Sequence, residues 1–296
     1  MSARRVAALV AATFACGAAP AVAAPGMETG IADDAVLLAG GPSAAEAVSE
    51  WQRLGIDVAR VHVHWMRVAP GVGSASQPSG FDPRDPNDPQ YHWAPLDDAI
   101  GLLEGAGIRP MLAVTGPGPL WTSSEPARAN PRWMPNPKRF GDFASAVAKR
   151  YGARVQRYLV WNEPNQPAWL QPQFTCSGSK CRPTSPHRYR DLYRAAYTAI
   201  HAADDDAQVL IGTLAPKGQD PISRNRTMRP LAFVRALACV DDKRLARVRT
   251  GSCRGQKTVR AEGFAYHPHP VRFSPRTINP IADNAAIADM PHFKRV

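Results

Sequence analysis

The chain has 296 residues, 44% of them hydrophobic and 21% charged, an ordinary composition for one globular domain, and it is long enough to bury a full core; bulk disorder is excluded. Its formal net charge is +11, yet 29 of the 36 basic residues are Arg spread along the chain, with only a loose cluster from Lys243 to Arg260. A nucleic-acid surface gathers its charge into a stripe with interleaved aromatics, so no nucleic-acid partner is expected; a solvated basic face, or a preference for acidic surfaces such as cell-wall polymers, fits better.

Residues 1–24 read as an export signal. Arg4 and Arg5 precede an apolar run from Val6 to Ala19, and Ala21, Val22 and Ala23 give the small-residue pattern of a cleavage site near Ala23 or Ala24. The run is too short for a membrane span, which needs ~20 apolar residues, and Gly17 and Pro20 interrupt it. A lipid anchor on Cys16 is disfavoured by Phe14. The expected location is extracellular, with residues 25–296 as the mature domain. Four cysteines then remain, Cys176, Cys181, Cys239 and Cys253, an even number that suggests two disulfides between neighbours. A zinc site is the rival, but the spacings do not make paired short knuckles.

Along the mature chain, short apolar runs alternate with helical patterns. Ala35 to Leu38 reads as a first strand and Ser43 to Leu54 as a helix capped by Ser43. In Asp57 to Trp65, Val58, Arg60, His62 and His64 fall on one face of a second strand. A long loop from Gly71 to Trp93 follows, in which Tyr91 and Trp93 suit either a sugar-stacking wall or packing beneath the loop. Leu96 to Ala106 is a helix, Ile108 to Val114 the third strand, and Trp121 sits in the turn beyond it. The helix over Asn136 to Tyr151 carries Phe140, Phe143, Ala144 and Val147 on one face.

The fourth strand is the centre of the chain. In Arg157 to Asn165, RYLVWNEPN, the run Tyr158, Leu159, Val160, Trp161 is stopped by Asn162, Glu163 and Pro164. Polarity thus arrives at the C-terminal end of a buried strand, where barrels of alternating parallel strands and helices place catalytic side chains. A turn-capping carboxylate is the bland alternative. Trp169 lies in the loop that follows, a helix covers Pro186 to Ala203, a fifth strand runs from Gln208 to Leu214, and Pro230 to Val240 is its helix. The sixth strand, Ala261 to His267, again ends in polar groups: Tyr266, His267 and His269. A metal site from His267 and His269 lacks a local carboxylate or Cys, so neither a metal nor a cofactor is expected.

WNEPN at a strand end resembles the acid/base motif of glycoside hydrolase clan A, the barrel glycosidases that include the cellulase-like family 5 and the family 39 enzymes. The resemblance runs from about Gly30 to the end of the chain and is greatest to secreted bacterial cellulase-like members. It implies an α/β fold, a (β/α)8 TIM barrel, and a retaining two-carboxylate mechanism on β-linked glycans, with an oligo- or polysaccharide as partner. In that likeness Glu163 is the general acid/base, Asn162 contacts the sugar 2-hydroxyl, and Arg60 supports the carboxylates. Tyr266 and His267 face the sugar, while Trp161, Trp121 and Trp169 offer flat apolar faces to it.

Only six of eight strand-helix units can be counted. Glu104, Glu125, Glu262 and the loop aspartates all stand in the wrong context for the second carboxylate that the clan places on its seventh strand. The expectation is therefore a barrel missing its last two units and inactive alone. The alternative is a non-catalytic carbohydrate-binding barrel remnant.

Overall fold

A computed structural model of the chain describes residues 26–296. The expected export signal lies outside the described residues. Strands β1 (Gly30–Ile31), β2 (Val58–His64), β3 (Arg109–Thr115), β4 (Arg157–Val160), β7 (Gln208–Leu214) and β8 (Gly263–Tyr266) form one sheet in the order β1-β2-β3-β4-β7-β8. Every pairing in it is parallel. Strands β5 (Phe174–Ser177) and β6 (Lys180–Pro183) make a separate antiparallel hairpin. Helices α2 (Gly41–Arg53), α4 (Ala94–Gly105), α5 (Pro137–Tyr151), α6 (Ser185–His201) and α7 (Pro230–Ala238) alternate with the sheet strands. Single turns α1 (Asp34–Leu37), α3 (Trp65–Val68) and α8 (Met290–Phe293) complete the α-helical elements of the described residues, and four short 3-10 turns lie in the connections.

The sheet is curled into part of a barrel. Arg60 on β2 and His267 just after β8 are four strands apart, which in a flat sheet would separate them by ~19 Å. Their side chains are 3.1 Å apart. Among the described residues β1 and β8 do not pair with each other, so the six strands form an open half-barrel.

Local chemistry explains β2, α4 and α5. In β2, Val58, Ala59, Val61 and Val63 are buried, and β-branched side chains suit a pleated, two-sided core. Helix α5 starts where the Asn136 side chain accepts a hydrogen bond from the Arg139 N–H, with Pro137 pre-set for the first turn. Phe140, Phe143, Ala144 and Val147 then all bury, as their spacing requires. Helix α4 is tied to α5 by Asp97, whose carboxylate accepts from the Arg150 guanidinium and, at 2.8 Å, from the Tyr151 hydroxyl.

Partial burial pushes the Asp97 carboxyl up, but Arg150 and Tyr151 outweigh it and hold the group below the usual carboxylate range. The stabilisation is complete above the unfolded value of ~3.9 and fades as pH falls through the lower, folded value. The pair is about one-third exposed, so solvent screening cuts its worth. Asp97→Asn should cost about 1 to 2 kcal/mol at pH 7 and flatten the acid limb of a denaturation-versus-pH series; an unchanged acid limb would remove Asp97 from that account.

Two expectations need correction. Ala35 to Leu38 is not a strand: Asp33 accepts from the Val36 N–H and starts the helical turn α1, while the first strand is the two-residue β1 before it. Helix α2 begins at Gly41, with Gly40 and not Ser43 at its cap. Of the two readings open for Tyr91 and Trp93, packing beneath the loop is the one found: both are buried, with the Tyr91 hydroxyl donating to the Pro83 carbonyl and the Trp93 indole to Pro86. The β5–β6 hairpin has no counterpart in the sequence pattern, which shows there only a bridged loop. Both expected cysteine pairs are joined. Cys176 and Cys181 stand directly opposite each other across β5 and β6, and Cys239 at the end of α7 bonds Cys253.

Candidate active site

Four elements bring polar side chains to the C-terminal mouth of the half-barrel. Strand β4 ends at Val160, and the chain then turns through Trp161 with φ 71° and Glu163 with φ 40°. Both are left-handed conformations that side-chain-bearing residues rarely adopt, so this turn stores strain that its surroundings must hold. They do so through the Trp161 N–H on the Val114 carbonyl at 2.8 Å and the Glu163 N–H on the Thr213 carbonyl at 2.9 Å. Asn165 clamps the far side. It is fully buried, donates to the carbonyls of Ala215 and Met228, and accepts from the Ala215 N–H.

The strained turn aims the Glu163 carboxylate at two partners. One oxygen faces His267 Nδ1 at 3.1 Å, and the other accepts from the Gln166 side-chain amide. The other ring nitrogen of His267 faces the Arg60 guanidinium, so a single chain of contacts runs from Arg60 through His267 to Glu163. Burial pulls the Arg60 guanidinium below its usual value, and the negative charge of Asp34 and Glu163 only partly offsets this; the group stays a cation at every working pH. Arg60 Nε is buried and has no hydrogen-bond partner among the described residues.

A second chain of contacts lies beside the first. Asn162 is 6% exposed, and its side-chain oxygen is 3.4 Å from His62 Nε2. The Nδ1 of His62 meets the Asp34 carboxylate, which also accepts from the His62 backbone N–H at 2.9 Å. Burial raises the Asp34 carboxyl, and the bonds from His62 more than reverse this, leaving it below the usual carboxylate range. Arg60, His62, Asn162, Glu163, Tyr266, His267 and His269 together line an open cleft of about 460 Å³, floored by apolar residues such as Ile31 and Met111.

Not every expected site residue reaches this cleft. Trp121 is fully buried, with its indole donating to the Pro70 carbonyl and its ring packed against Phe81, so it serves the core and offers no sugar platform. Trp161 is also fully buried, edge-on to Phe140. A ring with no exposed face cannot stack on a sugar, which corrects the expectation for both. Trp169 is the partly exposed one of the three; it lies nearly parallel to the rings of His62 and His64 at 6.4 and 6.2 Å. Tyr266 lines the cleft with its hydroxyl committed to the Ala285 carbonyl at 2.6 Å.

Three contributors are not among the site residues expected from the sequence: Asp34, His62 and Gln166. Asp34 is hidden because the segment after it looks like a strand, which puts the carboxylate at the wrong end; the Asp33-Asp34 pair ahead of a short apolar run is the capping signal that points elsewhere. His62 shares a strand face with Arg60, so the period of two already places it.

No protein-family model matches the chain, and no curated protein matches it. Among solved structures, it is similar to a family 39 glycoside hydrolase from the gut symbiont Bacteroides cellulosilyticus WH2, at 16% identity over 63% of this chain and 31% of that one, with a TM-score of 0.36. A glucosidase from Croceicoccus marinus gives 15%, 64%, 37% and 0.40 on the same measures. A β-glucosidase from Thermotoga maritima, solved with azafagomine, gives 14%, 56%, 36% and 0.38. The chain covers about a third of the length of these three structures.

Proposed function

We propose that the chain carries the acid/base half of a secreted retaining glycosidase for β-linked glycans, cleaving O-glycosidic bonds where a second carboxyl group is supplied. The observation that carries this reading is Glu163: a strand-end carboxylate in a strained turn, held by His267 and Gln166, facing an open cleft with Asn162 beside it. Glu163 protonates the leaving oxygen and later activates water; Asn162, steadied by His62, hydrogen-bonds the sugar 2-hydroxyl. His267 orients Glu163 and is itself oriented by Arg60, whose guanidinium brings positive charge near the anomeric centre.

Retention also needs a carboxylate ~5 to 5.5 Å from the first, on the opposite side of the bond. Among the described residues lining the cleft, Glu163 is the one acid, and Asp34 next to it is engaged by His62. This favours a second reading, a carbohydrate-binding protein without turnover. An external nucleophile separates the two. With azide in place of the missing carboxylate, the acid/base half should convert an aryl β-glycoside to the inverted glycosyl azide with release of the phenol. Saturable glycan binding with no azide product under any condition would leave only the binding reading.

Trp169 gives a separate check on the cleft. Trp169→Ala should weaken oligosaccharide binding by roughly tenfold through loss of an apolar stacking face, measured by calorimetry; unchanged affinity would put the sugar elsewhere.

A further inference from the structure

Beside the Glu163 cluster, three side chains with metal-ligating atoms converge. Asp34 comes from the turn after β1, while His62 and His64 stand two apart on β2 and so project from the same face. One donor atom from each lies within 4.8 Å of the other two. The two imidazole rings are 5.2 Å apart and within 24° of parallel, with Trp169 flanking both. They border a small cavity of about 120 Å³ shared with Leu38, Arg67 and His92. The hydrogen bonds of this group belong to Asp34 and His62; none among the described residues engages the His64 ring.

We propose that Asp34, His62 and His64 form a binding site for a divalent cation of the zinc class. Two imidazole nitrogens and one carboxylate oxygen are the donors that zinc and cobalt favour, whereas calcium and magnesium want an all-oxygen shell. The cation enters where the Asp34 carboxylate and His62 Nδ1 now meet, and a rotation of Asp34 on its one-turn helix opens the ~2 Å bond lengths required. His62 is already set for this role: its other nitrogen faces the Asn162 side-chain oxygen, the kind of outer contact that fixes a ligating imidazole. Three protein ligands leave a fourth position for water or a small ligand. The site would pin the β1 turn to β2, and it does not depend on the glycosidase reading.

The test uses the full chain with its disulfides intact, free of any histidine tag and stripped with a chelator. Zinc chloride is titrated by calorimetry, and cobalt chloride by visible absorption. The expected result is one cation per chain with Kd of about 1 μM or tighter, and tetrahedral-type cobalt bands. His64→Ala and Asp34→Asn should each weaken binding by about 10- to 100-fold, while His269→Ala, a cleft histidine outside the trio, changes it less than about threefold. Because no hydrogen bond holds His64, its variant should fold, and zinc should raise the melting temperature of the parent but not of His64→Ala. Absence of saturable binding below about 1 mM, or parental affinity in either His64→Ala or Asp34→Asn, would overturn the proposal.

Discussion

Glu163→Gln should lower azide-dependent phenol release from an unactivated aryl β-glycoside by about 10²- to 10⁴-fold, the range that a positioned general acid supplies. Oligosaccharide affinity should stay within about threefold. The two effects separate because the substitution keeps the size and direction of the side chain while removing the transferable proton. The introduced amide can still accept one hydrogen bond through its carbonyl oxygen, but its NH₂ group then confronts the second of the two partners that now face carboxylate oxygens, His267 and Gln166. A leaving-group series isolates the role. With a dinitrophenyl glycoside, which departs without protonation, the same variant should lose less than about tenfold, since only positioning is disturbed. Equal losses on both substrates would mean that Glu163 shapes the cleft and moves no proton.

The position of that carboxylate is legible because chemistry and pattern coincide in RYLVWNEPN: an apolar run too short for a helix, stopped by residues that cannot continue a buried strand. Arg60 and His267 are legible in a related way: Arg60 falls on the polar face that it shares with His62 and His64 on β2, and His267 follows the end of the short strand β8. The structure joins all three through contacts of 3.1 Å across four strand spacings. What the sequence conceals depends on curvature and burial. Trp121 and Trp161 sit in segments that border the mouth, yet a side chain at a strand end can turn inward as easily as outward, and nothing local says which. Trp161 turns inward because of its positive φ, a property of the strained turn that no residue preference announces. Asp34 lies far ahead of Glu163 in the chain, so its place beside the cleft exists only once β1 has paired with β2. The β5–β6 hairpin is a similar case: its register is fixed by the Cys176–Cys181 bond across a tight turn more than by strand propensity.

The inward turn of Trp161 has a specific structural requirement, and Gly116→Ala should expose it. A Cβ at position 116 would stand 2.2 to 2.9 Å from three atoms of the Trp161 six-membered ring, far inside contact distance, and no flexible side-chain end is available to yield. Trp161 cannot retreat, because it is wholly buried against Phe140. The added methyl should therefore cost about 3 kcal/mol, a drop in melting temperature of roughly 6 to 12 °C for a chain of this size. It should also abolish glycan binding, since Asn162 and Glu163 hang from the same turn. Trp161→Phe removes the clashing ring atoms while leaving a cavity of its own. The double variant, Gly116→Ala with Trp161→Phe, should then be more stable than the sum of the single losses by at least about 1 kcal/mol, the signature of two side chains competing for one space. Strict additivity in that cycle would show that the glycine matters through backbone freedom, and that the ring of Trp161 is not what holds the Asn162–Glu163 turn in place.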